Sequence, residues 1–210
     1  MIASASDTQK TIQKRKIQEE KSMKQSLLIA AALTLTASAA MAQTMSKDDQ
    51  IAEAVSAAPE ALRAGATVVN YDAKGDPVVL RQGTNGVVCT PNQPGGTSYS
   101  VSCYGAALRA QRDMQAKEKA EGKDAKTIGA DIQAALASGK LKAPPMGTAM
   151  YSLSGKTKES ARGMWVVLVP GLTAEATGLP TQPTAHGTPW LMRAGTPGAH
   201  IHIPQPPPAG

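Results

Sequence analysis

Two cysteines, Cys89 and Cys103, constrain how this 210-residue chain can fold more than any other feature. Oxidised, they close a loop of about 13 residues and hold two segments side by side. Whether they pair depends on compartment, because thiols stay reduced in the cytosol and oxidise after export. The chain carries an export signal. Met23-Lys24 opens a short positive segment, Leu27 to Leu35 is apolar, and Ala40 and Ala42 are the small residues that a signal peptidase needs. Cleavage between Ala42 and Gln43 is therefore expected. The apolar run is shorter than the roughly 20 residues of a membrane-spanning helix. Residues 23–42 thus read as a cleaved signal peptide, with no stable membrane insertion afterwards and a periplasmic or secreted location. In that setting Cys89 and Cys103 form a disulfide, contributing roughly 3 kcal/mol in chain-entropy models. Residues 1–22 are polar and precede a good start at Met23, so they read as an extension outside the fold.

The signal also changes the charge argument. The whole chain has 22 Lys+Arg and 16 Asp+Glu, a net charge of +6. From Gln43 onward 16 basic residues face 13 acidic ones, a net of +3. That is an ordinary surface charge, without the clustered bases and stacking aromatics of a nucleic-acid binder. No nucleic-acid partner is expected.

Periodicity places the elements. Ser46 followed by Asp49 is an N-terminal cap, and Ile51, Ala54, Val55 and Ala58 then recur at helical spacing up to Pro59, with Gly65 as a stop. Residues 66–71, 77–80 and 87–89 are β-rich, separated by a turn at 72–76 and by Asn85-Gly86, and read as a meander of three antiparallel strands. Residues 91–98, with two Pro and two Gly, form a loop held by the disulfide. Ala106–Ala120 and Ala125–Ser138 are helices stopped by Gly122 and Gly139, the second with Ile128, Ile132, Ala135 and Leu136 inward. The charges between Arg109 and Lys126 alternate in sign and read as a solvated face. Four strands follow, at 149–153, 165–169, 190–192 and 200–203, with a Pro/Gly-rich segment at 170–189. Strands, then helices, then strands give an α+β class: one domain over 43–204, an antiparallel sheet with two to four helices, one disulfide. A proline-rich disordered tail at 205–210 completes the chain.

Few motifs carry chemistry. Gly155-Lys156-Thr157 resembles the end of a phosphate-binding loop, but the position that must be glycine is Met150. Neither a Gly-x-Ser-x-Gly elbow nor an HExxH pair is present. Asp72 and Asp76 flank Gly75 in a turn and lack the 12-residue pattern of a calcium loop. The histidines are the remaining constellation: His186, His200 and His202 fall within 17 residues. On a strand His200 and His202 face one side, where they can present two imidazoles to a metal such as copper. His186 is a candidate third ligand, and Met164 or Met192 a soft one. Alternation assigns Ile201 and Ile203 to the core, leaving the two imidazoles to solvent or to a covered cleft.

Several stretches resemble a family of uncharacterised secreted bacterial proteins. They are Ala66-Thr67-Val68-Val69; Leu80-Arg81-Gln82-Gly83-Thr84-Asn85-Gly86 leading to Cys89 and Pro91; Val167-Leu168-Val169-Pro170; and Pro189-Trp190-Leu191-Met192 with Gly195-Thr196-Pro197-Gly198-Ala199-His200-Ile201. The resemblance spans most of residues 50–204 and implies export but no activity. Family members tend to have His where Met164 stands and an apolar residue where His202 stands. A family site built on paired histidines would keep only His200 here.

The functional expectation is a non-enzymatic exported module that binds a protein or small-molecule partner through its loops, without a cofactor. A periplasmic copper-type metal-binding protein using His200, His202 and His186 is one alternative. A hydrolase whose site is assembled from distant residues is another.

Overall fold

The computed structural model describes residues 45–93, 96–185 and 187–205. The expected signal peptide with its Ala42–Gln43 junction, His186 and the tail from residue 206 lie outside the described residues. Helix α1 (Lys47–Val55) begins with the expected cap: the Ser46 hydroxyl accepts the Asp49 N–H at 3.1 Å and donates to its carboxylate at 2.6 Å. Pro59 ends this segment and caps the single-turn helix α2 (Glu60–Arg63).

Eight strands follow in one sheet: β1 (Thr67–Tyr71), β2 (Pro77–Arg81), β3 (Val87–Thr90), β4 (Tyr99–Gly105), β5 (Ala149–Gly155), β6 (Arg162–Leu168), β7 (Trp190–Met192) and β8 (His200–Pro204). Their spatial order is β2-β1-β3-β4-β5-β6-β8-β7. The class is mixed α+β with one disulfide, as expected, but the sheet is not wholly antiparallel. β3 crosses to the far side of β1 and pairs with it in parallel, Thr67 beside Val88 and Val68 beside Cys89. Burial explains the choice. Val88 and Cys89 are buried and claim a central position, whereas Val78 and Val79 of β2 stay 45 and 50 % exposed at the edge. The crossing passes through Gly83, where a Cβ would lie 2.2 Å from the Thr67 nitrogen. Asn85-Gly86 serves this crossing and is not a hairpin turn: Thr84 and Asn85 both donate to the Gly65 carbonyl.

β4 is a strand where no element was expected, and it carries the second cysteine. Cys89 and Cys103 face each other in the β3–β4 ladder with Cα atoms 4.0 Å apart, and their disulfide is fully buried. A 3-10 turn (Ala106–Leu108) then leads into helix α3 (Arg109–Ala120), followed by α4 (Ala125–Ala137), which Asp124 caps through the amides of Lys126 and Thr127. A short helix α5 (Ala174–Thr177) lies in the Pro/Gly segment. The described residues therefore hold five α-helices, one more than the upper expectation. Gln205, assigned to the tail, is instead tied to the sheet by its amide at 2.9 Å from the Gly163 carbonyl.

Alternation along β4 separates the two faces. Val101 and Cys103 turn toward α1 and pack with Ala54, Val55, Val68 and Cys89. Tyr104 turns the other way and packs with Val69, Val88 and Leu108, beneath the α3–α4 hairpin. A third cluster, Val169, Leu191 and Ala199, holds the β7–β8 end together. No helix among the described residues is long and apolar enough to cross a membrane.

Candidate functional site

Strand register aligns one row of side chains on the face beneath α3 and α4. Tyr104 stands opposite Met150, Met150 opposite Val166, Val166 opposite His202, and His202 opposite Trp190. One step along the strands, Leu168 stands opposite His200 and His200 opposite Met192. In the other direction lie the hydroxyls of Thr90 and Ser102, 3.0 Å apart. The helix hairpin does not press flat on this surface. Two adjoining pockets separate them, of about 500 and 390 Å³, and both are lined by Arg112 and Gln115 of α3.

The larger pocket is the more polar of the two. Thr90, Ser100 and Ser102 of the sheet, Asn92 and Gln93 of the loop after β3, Tyr71, Tyr104 and Lys119 surround it. The smaller pocket is mainly apolar, with Leu108, Ile132 and Leu136 above and Met150, Val166 and Leu168 below. His200, His202 and Arg193 line its far end. Among the described residues, no Asp or Glu lines either pocket.

Arg112 and its neighbour Arg109 are satisfied in opposite ways. Arg109 donates through Nε to both carboxylate oxygens of Asp113 at 2.7 and 2.9 Å. The Tyr71 hydroxyl donates to the same carboxylate at 2.9 Å. Burial alone would lower Arg109, but this carboxylate outweighs it and raises the guanidinium above its usual value. Burial, the adjacent Tyr104 and then the Asp113 carboxylate hold the Tyr71 phenol above the tyrosine range. Arg112 has no such anion among the described residues. It donates to Gln115 Oε1 at 2.8 Å and approaches Met150 Sδ at 3.7 Å, its carbon 5.4 Å from the centre of the Tyr104 ring. Burial lowers its pKa, yet an arginine keeps its charge at neutral pH.

Tyr104 is fully buried, and its hydroxyl meets no hydrogen-bond partner among the described residues. The adjacent Tyr71 hydroxyl donates to Asp113 and keeps lone pairs that can accept, but the two hydroxyls make no hydrogen bond of full geometry. Burial raises the Tyr104 phenol, so it stays a donor. An unmet donor in a protein interior costs about 1–3 kcal/mol. The polar pocket therefore holds one unpaired cation and one unpaired donor, side by side.

His200 and His202 occupy the covered cleft rather than the core, as alternation suggested: Ile201 packs with Leu191 and Val169 on the opposite face. His200 Nδ1 lies 2.7 Å from the Gly198 carbonyl, which can only accept. That contact fixes the proton on Nδ1 and leaves the Nε2 lone pair free. The two imidazoles stack at 4.8 Å, and His202 stacks on Trp190 at the same distance. Burial first, and His200 second, lower the His202 pKa. Among the described residues no three His, Cys, Asp or Glu side chains converge on a metal position. Neither imidazole hydrogen-bonds a hydroxyl or a carboxylate there. Met192 lies opposite His200, whereas Met164 stands opposite Pro204. Asp72 is consumed by its turn, accepting from the amides of Lys74 and Asp76.

Arg112, Tyr104 and Tyr71 were not among the expected site residues. The expectation of a solvated face for α3 is corrected at two positions: Arg112 turns into the cleft, and Glu118 is 8 % exposed beside Lys123. The spacing contained the signal. Leu108, Arg112, Gln115 and Lys119 lie on one helical stripe, so whatever buries Leu108 must also cover Arg112.

No protein-family model matches the chain, and neither a curated protein nor a solved structure matches it significantly.

Proposed function

We propose that this chain is an exported binding module that holds a small anionic ligand in the cleft between the sheet and the α3–α4 hairpin. The observation that carries this reading is Arg112, a partly buried guanidinium without an acidic partner among the described residues, lining two pockets that no carboxylate enters. Buried charges are ordinarily paired, because desolvation is otherwise uncompensated. A ligand anion would supply the missing partner and accept from Tyr104 at the same time. The loop after β3 contributes Pro91, Asn92, Gln93 and Gly96 to Ser98 to one wall, and regular elements supply the rest, which supports a ligand held between loop and cleft. Export and membership of the secreted family resembled by the Gly83–Cys89 and Gly195–Ile201 segments belong to the same proposal.

The test is NMR titration with sodium acetate against sodium chloride at equal ionic strength. Acetate should shift the Arg112 Nε–H and the amides around Tyr104. Arg112→Gln should abolish the shift, and Tyr104→Phe should weaken binding about tenfold to a hundredfold, as expected for one hydrogen bond to a charged group. Tyr104→Phe should leave stability unchanged or raised, because it removes an unmet donor. Absence of any shift at Arg112 and around Tyr104 with acetate in the native protein would end the anion reading.

A second reading, copper held by His200 and His202, is supported by the free His200 Nε2 and by Met192 opposite it. Arg193 and Arg112 line the same pocket and oppose a cation. Copper titration of the native chain against a His200→Ala, His202→Ala variant decides it: stoichiometric, tight binding lost in the variant would favour metal over anion.

A further inference from the structure

We infer that the ligand is an amphiphilic monocarboxylate, its carboxylate on Arg112 and its hydrocarbon chain in the apolar half of the cleft. The inference rests on the anion-binding reading and adds a direction and a shape to it. Arg112 stands at the junction of two unlike pockets, since it lines both. On one side are hydroxyls and amides, which suit a solvated head. On the other, Leu108 and Ile132 are almost fully buried, while Leu136, Met150, Val166 and Leu168 keep partial exposure toward an open space of about 390 Å³. Packed interiors do not leave such a space between two apolar walls, and sites of this size hold small molecules. Gln111, Gln115 and Gln133 also line it, but most of the lining surface is apolar, so a chain of methylenes fits it better than a sugar or a nucleotide.

The head is limited by its donors. One planar guanidinium and one phenolic hydroxyl supply two or three hydrogen bonds, which match the two oxygens of a carboxylate. A phosphate monoester brings a third oxygen and a second charge, for which the more polar pocket adds Lys119 alone among the described residues, and that residue is exposed. Arg193 and His200 at the far end of the apolar pocket are beyond the chain rather than beside the head. They set its length, because a longer tail would meet their polar groups.

Calorimetric titration of the native protein with acetate, butyrate, octanoate, octanol and octyl phosphate tests the proposal. Each buried methylene is expected to tighten binding by up to about fourfold, and the half-open cleft lowers this, so octanoate should bind at least about tenfold more tightly than butyrate. Octanol should bind more weakly than octanoate by a similar factor. Leu136→Gln, a change at a half-buried position, should remove most of the gain with chain length and leave acetate binding intact. Arg112→Gln should bring octanoate down to the level of octanol. Equal affinities for acetate, butyrate and octanoate would overturn the amphiphile while leaving the anion site standing. Tighter binding of octyl phosphate than of octanoate would overturn the carboxylate. Absence of binding by every anion would remove both this inference and the reading beneath it.

Discussion

His202 shows how one residue records its surroundings. Its ring lies between Trp190 and His200, and burial, with His200 adding to it, holds its pKa below the ordinary value of 6.5. The folded protein therefore resists a proton that the unfolded chain accepts. The associated stability is present above about pH 6.5 and is lost as pH falls through that value toward the lowered one. Urea midpoints measured at pH 7.5 and at 5.5 should fall with pH in the native protein and fall less in His202→Gln. Parallel declines would show that this imidazole is not the group responsible. Arg112 and Arg193 line the same pocket, and their positive charge acts in the same direction. The facing direction of this residue was legible in the sequence, because Ile201 and Ile203 claim the core side by alternation. Arg112 was not read, because alternating charge along α3 masks the stripe that begins at Leu108.

Among elements, β1 and β2 exchange the places that a meander suggests. The chain reads as hairpin after hairpin, and each strand is where its composition puts it. What local pattern could not decide is which strand pairs with which. Burial decided it: β3 sits inside with Val88 and Cys89, and β2 is left at the rim. Gly83 makes the crossing possible by passing over the β1 backbone closer than any side chain allows. Replacing it by alanine should cost at least about 2 kcal/mol of unfolding free energy, read from urea denaturation, since the clash is with backbone rather than with a flexible tip. A loss below about 0.5 kcal/mol would mean that the crossing is looser than described. β4 was missed for a different reason. Tyr99, Val101 and Cys103 alternate with serines and read as a strand, but the expectation of a disulfide-closed loop stopped that pattern from being followed into residues 99–105.

For the molecule as a whole, the disulfide joins two strands that already share a ladder near the centre of the sheet. Its contribution is to the unfolded chain rather than to the native contacts. Protein recovered from the periplasm, beginning at Gln43, should gain the mass of two hydrogens on reduction. Cys89→Ala, Cys103→Ala should keep the fold but lower stability by roughly 3 kcal/mol. Free thiols in the exported protein would contradict the compartment assignment. Class, disulfide partners and most element positions could be read along the chain, since each is written in local spacing. The cleft could not, because its floor comes from strands far apart in sequence and is defined only once β8 inserts between β6 and β7.

The roof of that cleft has a separate origin from its floor. The 3-10 turn, α3 and α4 are one uninterrupted excursion between β4 and β5, two strands that pair directly with each other from Tyr99–Gly155 to Tyr104–Met150. Their register does not depend on what the chain does in between. Insertions, deletions and side-chain changes between the buried Leu108 and the Gly147–Thr148 pair that hydrogen-bonds Leu168 can therefore accumulate over descent with little effect on strand register. A lineage built on this sheet can diverge in what it recognises while inheriting the same scaffold, and relatives should vary most in that one excursion.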